Sequence, residues 1–222
     1  MLIAGVDDAG RGAIIGPLVI AGVLLEEKDI AKLVELKVKD SKLLSPKRRE
    51  ELAEIIKRIA LKYHIERLWP AEIDKVVDSK IKLHKLNRLE AKTMAKVIEA
   101  LKPDMAYVDA SDVYTERFKE HIQECLSFKV QTISEHKADK KYPIVSAASI
   151  IAKVERDKAI AELKQKYGEL GCGYPTDPAT MKFLEKWLEK FSEYPDFVRK
   201  SWKPAKRLKD NKDTLQTKLY EK

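Results

Sequence analysis

"LIAGVDDAGRGAIIGPLVIAGVLLE", residues 2–26, sets the class of the fold. "LIAGVD" (2–7) and "LVIAGVLLE" (18–26) are apolar and β-branched, and predict two strands. The connection between them carries Gly10, Gly12, Gly16 and Pro17 and is longer than a tight hairpin needs. Long glycine-rich connections often carry function. Asp7 and Asp8 close the first strand as adjacent carboxylates. Neighbouring side chains on a strand point to opposite faces, and buried carboxylates without partners are costly. The pair therefore calls for something to bind.

Beyond this hairpin, strands alternate with helices. "SPKRREELAEIIKRIALKY" (45–63) predicts a helix, with Ser45 as cap, Pro46 in the first turn and Leu52, Ile55, Ile56 and Ile59 on one face. "IERLW" (65–69) predicts a third strand, 86–101 a helix ended by Pro103, and "MAYVDA" (105–110) a fourth strand. Phe118, Ile122 and Cys125 mark another helix, and "FKVQTIS" (128–134) a fifth strand. Pro143 opens a long helix ended by Gly168, and Asp177–Pro178 starts a final helix carrying Met181, Leu184, Trp187, Leu188 and Phe191. Paired strands first, then strands alternating with helices, predict an α/β fold: a mixed sheet flanked by helices. We expect a catalytic domain over 1–170 and a C-terminal helical segment with a basic tail over 171–222.

A length of 222 residues and an apolar fraction of 44% suit a globular chain with a real core. No apolar run approaches the ~18–20 residues that span a bilayer. "MLIAGVDD" lacks the basic start of a signal peptide. Cys125 and Cys172 form no CxxC, which argues against a cysteine-ligated zinc site or a disulfide framework and suits a reducing cytoplasm. Charged residues make up 36% of the chain, rich in Lys and Glu, a composition that leans towards a thermophile. Of the net charge of +8, the segment Val198–Lys222 carries +6, with nine Lys/Arg against three Asp/Glu. A basic arm on a nearly neutral body suits a polyanionic partner; a frayed, solvated tail accounts for it equally well.

Asp7 ends the first predicted strand, Asp109 ends the fourth and Asp139 follows the fifth. Functional groups in α/β sheets gather beyond the carboxyl ends of strands. If those strands are neighbours, the three aspartates converge. Clustered carboxylates raise one another's pKa, and a hard cation removes that penalty. All-oxygen donors suit Mg²⁺ or Mn²⁺ rather than zinc, and two such ions about 3.5–4 Å apart support phosphodiester hydrolysis. For any single aspartate, a turn or helix cap is the simpler explanation.

"GVDDAGRGAIIGPLVIAGV", "VKDSKLLSPKRRE", "YVDASDV", "EHKADKKYPIVSAASIIAKVERD", "GCGYPTDP" and "VRKSWK" occur in this order. Together they closely resemble the archaeal ribonuclease HII family, the type 2 ribonucleases H, from residue 1 to about 204. The resemblance implies a ribonuclease H-like fold, a five-stranded mixed sheet with helices and a helical C-terminal extension. It also implies endonucleolytic cleavage of RNA in RNA–DNA hybrids and at single ribonucleotides in duplex DNA, leaving 3′-hydroxyl and 5′-phosphate ends. Two Mg²⁺ or Mn²⁺ ions would be held by Asp7, Asp8, Asp109 and Asp139, the counterparts of the family's Asp, Glu, Asp, Asp set. Asp8 departs from the family's Glu by one methylene, which shortens its reach towards a metal, and Ala13 stands where Pro is frequent.

Under the same resemblance, Gly10, Arg11 and Gly12 form the reader of the 2′-hydroxyl, the group that separates RNA from DNA. Glycines allow the close backbone approach and Arg11 offers a planar donor fork. Tyr174 matches the tyrosine that stacks on the neighbouring deoxyribose. Lys42, Ser146, Ser149 and Lys153 match phosphate-contacting positions, the last three spaced along one helix face; small residues there also suit close helix–sheet packing. His136, three residues before Asp139, reads as a solvated loop histidine, and His64, His84 and His121 show no ligand spacing.

The expected substrates are RNA–DNA hybrid and ribonucleotide-containing duplex DNA, the expected setting DNA replication and ribonucleotide excision repair, the expected state a cytoplasmic monomer. "DTLQTKLYEK" (213–222) resembles the sliding-clamp tails of archaeal members through Leu215, Leu219 and Tyr220, without their aromatic pair; a disordered tail is the simpler expectation. Two rivals stand beside the nuclease: a hybrid-binding protein crippled by Asp8, and a resolvase- or integrase-type nuclease that needs no ribonucleotide.

Overall fold

The computed structural model describes residues 1–38, 44–80 and 85–220, with side chains to residue 211. Lys42 and His84 lie outside the described residues. In chain order the elements are β1 (Leu2–Ala9), β2 (Leu18–Glu26), α1 (Ile30–Glu35), α2 (Pro46–Ile59), β3 (Lys62–Leu68), α3 (Pro70–Val77) and α4 (Lys85–Leu101). They continue with β4 (Met105–Asp109), α5 (Thr115–Gln123), β5 (Gln131–Glu135), α6 (Ala138–Lys141), α7 (Pro143–Tyr167), α8 (Pro178–Phe191) and α9 (Lys203–Tyr220). Among the described residues no helix is long and apolar enough to cross a membrane.

The five strands form one sheet in the order β3-β2-β1-β4-β5. β1 runs antiparallel to β2 and parallel to β4, and β4 runs parallel to β5, so the sheet is mixed as expected.

Several boundaries differ from the sequence expectation. α2 ends at Ile59, because the chain is already extended at Ala60, and the third strand begins earlier, at Lys62. Trp69 is not part of that strand; it is the N-cap of α3, whose first position is Pro70. The fifth strand starts at Gln131 rather than 128, and Cys125 lies past the end of α5. α8 is not the last helix, since α9 runs from Lys203 to Tyr220 and so includes 213–220 of the stretch expected to be a disordered tail. Its start is secured by Ala205 and Leu208, which pack on an apolar cluster.

The chain forms two compact units of three segments each: Met1–Ala9, Val19–Arg67 and Lys82–Arg156, and Gly10–Leu18, Leu68–Ile81 and Asp157–Lys222. In the first, period-two alternation distributes the strand residues between two cores. Ile3, Ala9, Val19, Ala21, Val23 and Leu25 pack with Leu52 and Ile56 of α2 and Ile144, Ala148 and Ile151 of α7. Ala4, Val6, Ile20, Leu24, Ala106 and Val108 face Met94 and Ile98 of α4 and Phe118 and Ile122 of α5. Gly5 lies under the first turn of α7. A β-carbon there would stand 2.6 Å from the Val145 nitrogen and closer still to the carbonyl of Ile144, so only glycine admits the helix at this height.

In the second unit, Ile14, Ile15, Ile160, Leu170, Leu184, Leu188, Phe197 and Val198 form the core. Tyr167, Phe183 and Trp187 extend it, with Tyr167 and Phe197 at a centroid separation of 4.5 Å.

Candidate active site

The alternation that builds the two cores also sorts the acids. Val6 pairs with Val108 in the parallel register of β1 and β4, so the next step brings Asp7 beside Asp109 at the carboxyl ends of adjacent strands. Both share the parity of Gly5 and Tyr107, the side of the sheet that α7 covers. Asp8 has the opposite parity, and Ser111, just past β4, donates a hydroxyl to its Oδ1 at 3.4 Å.

Asp7 is 4% exposed. Burial, then the charges of Asp8 and Asp109, push its carboxyl well above the ordinary carboxylate range. Two local donors oppose this: the Ser149 hydroxyl and the Asp8 amide, the latter 2.7 Å from Oδ1. Asp109 accepts the Ala138 amide at 2.8 Å, which fastens the turn carrying Asp139 against the end of β4. That turn enters through Lys137 in the left-handed region (φ 57°) and closes with Tyr142, whose hydroxyl donates to Glu135 at 3.0 Å. Asp139 is buried, and the Ser146 hydroxyl donates to its carbonyl. Ser146 and Ser149 thus have their hydroxyls on the acidic residues, while Lys153, on the same face of α7, is half-buried. His136 is exposed, with Nε2 3.2 Å from the Val113 carbonyl.

Among the described residues, no three His, Cys, Asp or Glu side chains are gathered closely enough to hold a metal ion as they stand. The carboxylates instead take neighbouring donors, as like charges in a partly dry site must. In chemistry, though, the donor set fits a hard cation. It consists of carboxylate oxygens, and the burial and neighbouring charges that push Asp7 up are ones a cation would relieve.

In the second unit, the loop between β1 and β2 is held from two sides. The amides of Ile14 and Ile15 both donate to the Gly173 carbonyl, at 2.8 and 3.1 Å, and Tyr174 follows directly. A β-carbon on Gly12 would be 4.0 Å from the Tyr174 ring, which places the ring beside Gly12. Thr180 accepts the Gly173 amide at 3.0 Å and donates to the Leu170 carbonyl at 3.0 Å. Asp177 accepts the Cys172 and Ala179 amides, and these bonds hold its carboxyl down at about 2. On the other side Arg199, wholly buried, donates to the carbonyls of Arg11 and Gly10, each at 2.7 Å, and of Gly16 at 3.3 Å. Gly10, Arg11, Gly12 and Tyr174 are therefore brought together. Sequence reasoning assigned no role to Arg199, and its only signal was the motif "VRKSWK".

A mixed five-stranded sheet in this order, with acids beyond the ends of its parallel pair, defines a ribonuclease H-like fold. The profile of the ribonuclease HII family matches residues 4–205. Ribonuclease HII of Thermococcus onnurineus is 48% identical over 95% of this chain and 91% of its own length. The crystal structure of ribonuclease H2 from Pyrococcus horikoshii superposes with a TM-score of 0.88 at 44% identity, covering 95% of this chain and 98% of that one. The ribonuclease HII in the complex with PCNA from Archaeoglobus fulgidus superposes with a TM-score of 0.82 at 43% identity, over 91% of this chain and 96% of that one. The chain belongs to the ribonuclease HII family, nucleases whose name denotes hydrolysis of RNA. Membership implies cleavage of the RNA strand of RNA–DNA hybrids.

Proposed function

We propose that the protein is a metal-dependent endoribonuclease that cuts the RNA strand of RNA–DNA hybrids and cuts 5′ of single ribonucleotides in duplex DNA, leaving 3′-hydroxyl and 5′-phosphate ends. The adjacency of Asp7 and Asp109 at the ends of paired parallel strands carries this assignment. Asp7, Asp109 and Asp139, assisted by Asp8, would hold two Mg²⁺ or Mn²⁺ ions. When bound, such ions activate water and stabilise charge on the leaving 3′-oxygen. Ser149 and the Asp8 amide orient Asp7, and the Ala138 amide orients Asp109, so that these carboxylates keep fixed directions. Gly10, Arg11 and Gly12 meet the ribose 2′-hydroxyl and its phosphate, and Tyr174 favours a deoxyribose beside it. Lys42, Ser146, Ser149 and Lys153 take phosphates.

Binding of a sliding clamp is supported by the PCNA complex of the Archaeoglobus relative, and the C-terminal tail would make the contact. A cytoplasmic monomer acting in replication and ribonucleotide repair completes the proposal. Incubation with duplex DNA carrying one ribonucleotide, with Mn²⁺ present and an all-DNA control, tests it. Cleavage of the first duplex alone is expected, and an intact substrate at high enzyme concentration sinks it. A second assignment, junction binding without cleavage, is favoured by the short Asp8 side chain, whose oxygen is taken by Ser111.

A further inference from the structure

A guanidinium with no solvent exposure is costly to bury, so the direction of its donors is informative. Arg199 sends them to one loop. Nη1 reaches the Arg11 carbonyl at 2.7 Å, and Nη2 reaches the carbonyls of Gly10 at 2.7 Å and Gly16 at 3.3 Å. Gly10 (φ 93°) and Gly16 (φ 83°) are both left-handed, which lets the loop turn these carbonyls to the same side. In a trans peptide the C=O of one residue and the N–H of the next point in opposite directions. Drawing the Gly10 and Arg11 carbonyls onto Arg199 therefore aims the N–H groups of Arg11 and Gly12 the other way. Two successive amides facing one side form an anion-binding nest. Gly12 is exposed, so this nest opens at the surface.

Arg199 is itself fixed. Its own amide donates to the Ile14 carbonyl at 2.9 Å and its guanidinium lies 4.9 Å from the Trp202 ring centroid. The next two residues are anchored on α3, where the Asp74 carboxylate accepts the amides of Lys200 and Ser201 at 2.8 and 3.1 Å.

We infer that Arg199 is a positioning residue that holds the loop 10–16 in a preformed nest, with the Arg11 and Gly12 amides presented to a sugar–phosphate group, and so sets the preference for a ribonucleotide. This rests on the assignment of the Gly10–Gly12 loop as the sugar reader. A lysine cannot replace the fork, because an ammonium on a flexible stem lacks the planar, fixed donor geometry that reaches all three carbonyls.

The test is affinity, measured by fluorescence anisotropy in EDTA so that nothing is cut. Two duplexes are compared, identical except for one ribonucleotide. Wild-type protein is expected to prefer the ribonucleotide duplex. R199K and R199Q are expected to lose at least about tenfold of that preference, while affinity for the all-DNA duplex changes by less than about threefold. A purely structural role would lower the melting temperature and weaken both duplexes alike, leaving the ratio unmoved, and an unmoved ratio overturns the inference. No preference in the wild type sinks the sugar-reader assignment, and this inference with it. A second measurement needs no variant. In free wild-type protein the amides of Gly10–Gly12 should show order parameters of about 0.85, and values below about 0.6 overturn the preformed nest.

Discussion

At the ends of β1 and β4 carboxylates stand against one another in a buried setting, whereas in the second unit the amides of Ile14 and Ile15 are met by Gly173 and the carbonyls of Gly10, Arg11 and Gly16 by Arg199. The first region is made of side chains whose charges conflict, and the second of backbone groups whose partners are supplied. The contrast identifies which region a ligand would relieve and which a ligand would find ready. Sites that store unfavourable electrostatics exchange folding stability for chemistry, while preorganised sites contribute recognition at little cost on binding.

The largest effect that would break this comparison comes from Asp7→Asn. Deleting the charge should lower the cleavage rate at least about a hundredfold. The same change should leave the metal-free protein as stable or raise its unfolding free energy by about 1–3 kcal/mol, since the repelling charge is gone. A urea melt that shows marked destabilisation would mean the acids are structural. Gly5→Ala addresses the frame beneath them. Its β-carbon meets the Ile144 and Val145 backbone, so a loss of about 3 kcal/mol is expected in denaturant midpoints.

Asp8→Glu sharpens the comparison within the acid region. Restoring the missing methylene should raise the single-turnover rate about tenfold or more if the short carboxylate limits catalysis, and an unchanged rate removes that limit. The smallest effect belongs to the relaxed region. Asp177, held down at about 2 by the Cys172 and Ala179 amides, adds stability that is fully present above its ordinary range and lost as pH falls from about 4 towards 2. Asp177→Asn should flatten that limb of a pH–melting curve.

Alternation and strand endings make the strands and the terminal positions of Asp7 and Asp109 legible, because a period of two is written directly in "LIAGVDDA" and "MAYVD"; that the two strands are neighbours, which sets the acids side by side, is given only by the sheet order. The opposed faces of Asp7 and Asp8 follow from the same rule. α3 was hidden because Trp69–Pro70 reads as the end of a strand until the proline is seen to occupy a helix N-terminus. α9 was hidden because its residues are mostly charged, and its anchorage comes from Ala205 and Leu208 packing on distant residues. The role of Arg199 was beyond sequence reasoning for a different reason. It bonds to main-chain carbonyls, and every residue has one, so no residue pattern marks the partner.

The parallel register of β1 and β4 bears on how the protein is born. Asp7 acquires its neighbour only through a contact that closes most of the first half of the chain, and such long-range pairings are slow to form. An N-terminal fragment that stops before Asp109 has no second carboxylate to set beside Asp7. A chain whose synthesis has not reached Asp109 therefore lacks the proposed site, which arrives with the tertiary fold rather than with Asp7 alone.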